Sequence, residues 1–135
     1  MAGTLEHATL QIRPDPAELA RTREFVRARA AECGLDEEAR FRAALVVTEA
    51  VTNAMRHGRG SEAGRPIEVR CGCNGQGFMI EVGDSGRFRR RNRASDTATH
   101  GRGLRLIERL TRRFDLDASR DGTRLHMLVG DQNGI

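Results

Sequence analysis

The segment EAVTNAMRH, residues 49–57, ends a predicted helix and is the part of the sequence on which the interpretation of the fold depends. Glu49, Asn53 and His57 are spaced four residues apart, so on a helix they lie on one face, one above the other. Val51 and Met55 point in other directions and suit a hydrophobic core. This helix is therefore predicted to pack on one side and to present an acid, an amide and an imidazole on the other. Taken alone, such a row is more simply a solvated polar stripe.

Length and composition favour a single globular domain over residues 1–135, with its core at about residues 8–130. The chain is 38% hydrophobic, yet no apolar run approaches the length needed to cross a membrane. The N-terminus has no continuous apolar block of the kind typical of a secretory signal. We therefore expect a cytoplasmic protein with no membrane association.

All 23 basic residues are arginine, and the absence of lysine excludes several functions. A P-loop of the GxxxxGK[ST] kind, a Schiff-base lysine and a eukaryotic-type protein-kinase domain each need a lysine. A net charge of +4 permits an acidic protein partner or a nucleic acid, although a general bias towards arginine is the simpler interpretation. With five Phe and no Trp or Tyr, the chain offers a poor stacking platform for single strands. Direct nucleic-acid binding is therefore disfavoured.

The three cysteines, Cys33, Cys71 and Cys73, form neither a disulfide framework nor a four-ligand zinc set. Cys71 and Cys73 alternate on the same face of a predicted strand, where small apolar side chains belong. We interpret all three as core thiols in a reducing compartment.

Hydrophobic periodicity predicts a strand, two helices, a strand hairpin, a long loop, a helix and a final hairpin. Asp15 and Asp36 are the expected helix N-caps. A hairpin-rich sheet with helices on one face is an α/β (α+β) two-layer sandwich. The loop from Ser85 to His100 has no usable periodicity, and a structureless connection of that length is usually functional.

Four polar motifs fall at the boundaries of these elements. They are the row Glu49/Asn53/His57, the strand end Asp84-Ser85-Gly86, the helix start Gly101-Arg102-Gly103-Leu104, and Gly122-Thr123 at the entry to the last strand. Each has a simpler structural interpretation: a GxG is common in a chain with 15 Gly, an Asp at a strand end is often a turn former, and Thr123 suits a strand.

The same motifs also carry chemistry. The amide oxygen of Asn53 suits Mg2+, and Glu49 can accept a proton from a hydroxyl that attacks a phosphoryl group. Asp84 can accept a hydrogen bond from an exocyclic amine, and Gly86 lets the backbone approach a flat ligand closely. The glycines at 101 and 103 leave backbone N–H groups accessible at a helix start, where anions bind.

Together, the order and placement of the four motifs resemble the ATP-binding fold shared by DNA gyrase, Hsp90, histidine kinases and MutL. Glu49 to Asn53 resembles its N-box, Asp84-Ser85-Gly86 its first glycine box and Gly101 to Leu104 its second. The short form is more specifically similar to the bacterial anti-sigma factor serine kinases. These proteins hold a sigma factor or phosphorylate a small anti-anti-sigma protein. The resemblance covers about Leu10 to Val129 and implies a Bergerat-type fold, with a mixed, mostly antiparallel sheet, and a homodimer.

By this resemblance, Glu49 is the general base, Asn53 the Mg2+ ligand and Asp84 the acid that binds adenine. The second glycine box lies along the ATP phosphates, and the loop 87–99 forms a lid over the nucleotide. The other residues assigned to the nucleotide site are Arg56, His57, Gly86, Gly101, Arg102, Gly103, Leu104 and Thr123.

One departure from the family pattern concerns the first glycine box. It usually reads Asp-x-Gly-x-Gly, but here Phe88 replaces the second glycine, which can stiffen the hinge of the lid. The leading hypothesis is an ATP-dependent serine/threonine protein kinase that phosphorylates an anti-anti-sigma protein or sequesters a sigma factor. The alternative is a nucleotide-binding partner-switching module with weak catalysis. A basic nucleic-acid binder that uses the arginines of residues 87–93 is the least favoured.

Overall fold

Five strands and three α-helices follow one another in the predicted order in the part of the chain that the structure describes. The structure is a computed structural model, and it describes residues 7–57, 66–84, 101–119 and 122–130. The strands are β1 (Ala8–Ile12), β2 (Ile67–Asn74), β3 (Gly77–Asp84), β4 (Arg113–Ser119) and β5 (Gly122–Val129). The helices are α1 (Leu19–Glu32), α2 (Glu37–His57) and α3 (Gly101–Leu110).

Two aspartates begin the first helices, as the sequence predicts. Asp15 Oδ1 accepts a hydrogen bond of 3.0 Å from the backbone N–H of Ala17, in a single 3-10 turn that leads into α1. Asp36 Oδ1 accepts one of 2.9 Å from the backbone N–H of Ala39 at the start of α2. Both bonds satisfy N–H groups that the first helical turn leaves without a partner. Gly34, with φ of +84°, takes the left-handed conformation that ends α1.

The strands form one sheet in the order β1-β2-β3-β5-β4, which makes β3 the central strand. All four pairings between the described strands are antiparallel, where a mixed, mostly antiparallel sheet was expected. Tight hairpins join β2 to β3 and β4 to β5, and strands joined by so short a turn can only be antiparallel. Because β3 pairs with β5, the end of the central strand lies beside the start of the last one.

The helices cover one face of the sheet, which confirms the two-layer sandwich. Along β3, Phe78, Ile80 and Val82 point to this face and are buried. Helix α2 packs against β3 and β5, and it also contacts both α1 and α3. Val51 is fully buried and Met55 packs against the core, as expected for the apolar side of α2. No helix within the described residues is both long and apolar enough to span a lipid bilayer.

An arginine buried in this core joins α2 to the end of β5. Arg42 is 4% exposed, and its Nη1 donates a hydrogen bond of 3.0 Å to the carbonyl oxygen of Gly130. The sequence did not predict this contact, because arginine is rarely buried and hydrophobic periodicity alone places it on a surface.

The opposite face of the sheet carries an ion-pair network centred on Glu81, which is 7% exposed. Its Oε1 lies 3.0 Å from Nη2 of Arg70 and 3.8 Å from Nη1 of Arg124. Its Oε2 lies 2.8 Å from Nδ1 of His126, a histidine for which the sequence indicated no partner. These groups come from β2 and β5, so the network joins three neighbouring strands.

Gly83 allows this network to extend across the central strand. A Cβ at this position would lie 2.8 Å from Nη1 of Arg124, so the guanidinium occupies the space above the glycine. In this position Nη1 of Arg124 forms an ion pair with Oε1 of Glu68 on β2, at a distance of 3.4 Å. A larger side chain at residue 83 would displace the arginine.

The three cysteines are free thiols, and Cys33 is hydrogen-bonded to Cys73. Cys71 is buried, whereas Cys33 and Cys73 are half-buried, so the core assignment holds best for Cys71. Burial raises the pKa of Cys71 to about 12. Burial, assisted by a hydrogen bond with Cys73, raises the pKa of Cys33 to about 12 as well.

Candidate functional site

The buried end of the central strand places a carboxyl group beside a hydroxyl group. Asp84 is the last residue of β3 and is 5% exposed. Thr123 is its register partner on β5, and the Thr123 Oγ1 atom is buried with no hydrogen-bond partner among the described residues. A buried hydroxyl in this state keeps a donor and acceptor for a bound molecule.

The strand pattern explains why this carboxyl group is buried. Side chains alternate along β3, so Asp84 shares the helix-facing side with Ile80 and Val82. Its register partner on β2 is Ile67, which is fully buried. Asp84 thus ends an apolar row, where a carboxylate serves as a strong acceptor for N–H donors. An exocyclic amine together with a ring nitrogen is complementary to this carboxylate and hydroxyl.

Helix α2 supplies the second pair of polar residues. Glu49 and Asn53 are both half-buried on successive turns of α2, so their Cβ atoms are about 6 Å apart. The helix packs against β3 and β5, the two strands that end in Asp84 and begin near Thr123. Arg56 is exposed, and His57 is the last residue of α2, with its side chain outside the described residues.

Helix α3 begins where the sequence predicts, at Gly101. It packs against α2, and Leu104 contacts the core from its first turn. The N-terminus of a helix presents unpaired N–H groups and a partial positive charge, both of which favour anions such as phosphates. The side chain of Arg102 lies outside the described residues, as do Gly86 and the predicted lid at residues 87–99.

The described residues hold no group of three or more His, Cys, Asp or Glu side chains that could bind a metal ion. The half-buried side chain of Asn53 offers one amide oxygen to a divalent ion. Mg2+ is suited to such a site, since it usually keeps several waters and takes one or two protein ligands together with substrate phosphates. The donor set fits Mg2+ bound with a nucleotide better than a resident metal.

The family resemblance implied that Asp84 and Thr123 both lie at the nucleotide, but local sequence patterns alone did not predict that they are neighbours. Their contact depends on β5 pairing with β3, and no local pattern encodes the order of strands in a sheet. The burial of the Thr123 hydroxyl group was also not predicted, because a threonine at the start of a strand has no distinguishing sequence pattern.

Comparison with known proteins identifies the family and the fold. A family model described as a histidine kinase-like ATPase domain matches residues 12–129, from the end of β1 to the end of β5. Among solved structures, the RsbU and RsbW domains of Rv1364c from Mycobacterium tuberculosis superimpose with a TM-score of 0.68 at 17% sequence identity. The match covers 94% of this chain and 34% of that one, so this chain spans about a third of that relative, and at this identity the likeness shows the fold alone. The search of curated proteins gave no significant match.

Proposed function

The chain belongs to the histidine kinase-like ATPase domain family, and from this premise we infer that it is an ATP-dependent serine/threonine protein kinase of the anti-sigma type. The proposed substrate is a small anti-anti-sigma protein, and the proposed second activity is sequestration of a sigma factor. The observation that carries the proposal is the buried Asp84 carboxyl group beside a Thr123 hydroxyl that lacks a hydrogen-bond partner within the described chain.

In this proposal the adenine ring binds at the end of β3. Asp84 accepts a hydrogen bond from the exocyclic amine, and Thr123 Oγ1 bonds to the adjacent ring edge. Because both groups are buried, these bonds are made away from competing water and discriminate strongly against a base without the amine. Guanine, which carries an oxygen at the equivalent position, would place two acceptors against each other.

The phosphates in this proposal extend towards α2 and the start of α3. Backbone N–H groups at Gly101 to Gly103 meet the phosphate oxygens, and Asn53 supplies an oxygen to Mg2+. When bound, Mg2+ neutralises charge on the β- and γ-phosphates and so lowers the barrier to phosphoryl transfer. Arg56, Arg102 and the lid at 87–99 are proposed to lie close to the nucleotide as well.

Glu49 is the proposed general base. Its half-buried carboxylate lies one helical turn from Asn53, so it is close to the proposed position of the phosphates. There it can accept the proton of an attacking serine or threonine hydroxyl. A positioned base of this kind typically contributes about 10²- to 10⁴-fold to the rate.

Glu49→Ala tests this assignment. We expect the transfer of the terminal phosphoryl group of ATP to an anti-anti-sigma protein to fall by about 10²-fold or more, with ATP affinity nearly unchanged. Transfer is measured with radiolabelled ATP, and binding by the thermal shift that Mg-ATP produces. Glu24→Ala, which removes an exposed acid from α1, is the matched control and should keep full activity. Absence of any Mg-ATP thermal shift, together with unchanged transfer by Glu49→Ala, would disprove the proposal.

We also propose that the protein acts in the cytoplasm as a homodimer of this domain.

A second candidate function is favoured by the altered first glycine box, in which Arg87 and Phe88 follow Gly86. In that case the protein binds nucleotide and holds its partner with little catalysis. Stable sigma-factor binding by Glu49→Ala, with no phosphoryl transfer by the unmodified protein, would favour this module over the kinase.

A further inference from the structure

A second polar site lies at the other end of the central strand. Gly75, Gln76, Arg112, Arg113 and Leu128 line a cavity of about 490 Å3, which we call the arginine recess. It lies beside Gly77, and seven residue steps along β3 separate that end from Asp84, or about 23 Å. The recess is thus well separated from the proposed nucleotide site.

The turn between β2 and β3 holds one wall of the arginine recess rigid. Asn74 Oδ1 accepts hydrogen bonds from the backbone N–H groups of Gln76, at 2.7 Å, and Gly77, at 3.1 Å. Gly77 has φ of +149°, and a Cβ there would lie 2.7 Å from the carbonyl oxygen of Val129. Only glycine fits this close approach, so the conformation that presents Gln76 is fixed.

Gln76 in turn orients both arginines. Its backbone carbonyl oxygen accepts a hydrogen bond of 3.0 Å from Nη1 of Arg112. Its side-chain Oε1 accepts one of 3.3 Å from Nη2 of Arg113. A guanidinium has five N–H donors, and each of these bonds uses one, so most of the donors can bond to another molecule.

The arginine recess carries an uncompensated positive charge. No carboxylate is among its lining residues, and the described residues include no ion pair of Arg112 or Arg113. Two neighbouring guanidinium groups repel each other, and an oxyanion placed between them removes that repulsion while filling their donors. Paired guanidinium groups are the preferred protein partners of carboxylates and phosphates.

The surroundings of the recess favour a polypeptide over a free ion. The recess is a depression of about 490 Å3 that is open to solvent and wider than one small anion, so a chain can lie across it. Arg113 also begins β4, and within the described strands β4 pairs only with β5, so its other edge is available to an extended peptide. Asp115 and Asp117 lie further along β4, opposite His126 and Arg124 in the strand register, so the carboxylates of the segment are expected at the Arg113 end of the strand.

We propose that the arginine recess binds the carboxylate side chains of an acidic, extended segment of a partner protein. This site goes beyond the proposed kinase function and does not depend on it. The segment lies along the open edge of β4 and directs its carboxylates at Arg112 and Arg113.

The experiment uses a fluorescein-labelled tetraglutamate peptide as the probe, with fluorescence anisotropy in low salt and without nucleotide. We expect Arg112→Gln/Arg113→Gln to weaken binding by roughly tenfold or more, because charge-assisted bonds to both guanidinium groups are lost. Arg23→Gln/Arg27→Gln removes the same charge from α1 and should change the dissociation constant by less than about twofold. Equal weakening in both double variants would overturn the proposal, since net charge would then explain binding.

A measurement on the unmodified protein keeps the test independent of variant folding. Tetraglutamate should shift the backbone amide NMR resonances of Gly75, Gln76 and Leu128, and a tetraglutamine peptide should not. Shifts confined to other residues would overturn the proposal. Equally tight binding of inorganic phosphate at the recess would also overturn it, in favour of a free anion. Saturating ADP should leave the dissociation constant unchanged, so failure of the kinase hypothesis and failure of this site give different results.

Discussion

Asp84 and Glu81 lie three residues apart on the central strand and are nearly equally buried, at 5% and 7% exposure, but they face opposite sides of the sheet. On the face of the sheet away from the helices, both carboxylate oxygens of Glu81 are contacted by Arg70, Arg124 and His126. On the helix side, Asp84 lies beside the buried Thr123 hydroxyl, which has no hydrogen-bond partner in the described chain. The same strand thus carries one carboxylate that two arginines and a histidine of the protein contact, and one that lies beside a buried hydroxyl to which a ligand can bond.

In the proposed function, this difference separates a structural acid, Glu81, from a binding acid, Asp84. A buried carboxylate that contacts two arginines and a histidine interacts with groups of the fold itself, and its removal should be felt in stability. In the proposed function, the carboxylate of Asp84 beside the Thr123 hydroxyl contributes instead to recognition of the nucleotide. Burial alone does not distinguish the two residues.

Asp84→Asn should have the largest effect and should act on binding. Replacing a carboxylate oxygen by an amide nitrogen puts a donor where the adenine amine needs an acceptor. A hydrogen bond to a charged group contributes about 1.5–3 kcal/mol, so we expect the dissociation constant for ATP to rise by about 10- to 100-fold. Isothermal titration calorimetry measures this change. Unchanged ATP affinity in a folded Asp84→Asn protein would remove Asp84 from the site.

Glu81→Gln should have a smaller effect and should act on stability. The side chains of Arg70, Arg124 and His126 are 40%, 42% and 37% exposed, so solvent screens their attraction to Glu81. We therefore expect the free energy of unfolding to fall by about 1–2 kcal/mol, below the 3–5 kcal/mol typical of fully buried pairs. Urea denaturation gives this value. The comparison fails if Glu81→Gln changes ATP affinity as much as Asp84→Asn does.

Cys71 supplies the smallest and most specific test, because it is an ionisable group on the helix side that the fold keeps neutral. Its pKa in the folded chain is raised by burial to about 12, above the ordinary value of 9.0. The resulting stability is present below about pH 9 and is lost as pH rises towards about 12, because the unfolded thiol ionises first. Stability measured by denaturation from about pH 8 to about pH 11 should fall less steeply in Cys71→Ala than in the unmodified protein. Parallel slopes would show that Cys71 ionises normally in the fold.

Local patterns predicted the elements of this fold well because each has its own chemical marker. Asp15 and Asp36 mark helix starts, Gly34 marks a helix end, and the alternation in β2 and β3 marks strands with one buried face. The same patterns located Glu49, Asn53, Asp84 and Thr123 as candidate site residues, although their roles stay predictions.

Contacts between distant elements were not predictable in this way. The ion pair of His126 with Glu81 and the contact between Cys33 and Cys73 depend on which elements become neighbours, and periodicity carries no information on that. Arg112 and Arg113 looked like ordinary members of an arginine-rich chain. Only the turn at Gln76, 36 residues earlier than Arg112, gives them a shared orientation.

The buried hydrogen bond from Arg42 to Gly130 bears on where a tag or tether can be attached to this protein. It fastens the outgoing end of β5 to the helix that bears Glu49 and Asn53, and β5 also bears Thr123. A bulky fusion or a surface tether placed directly after Gly130 would strain this bond, which lies at the end of β5 opposite Thr123. Purification tags and immobilisation points are therefore better placed at the N-terminus, where β1 lies at the far edge of the sheet from β5.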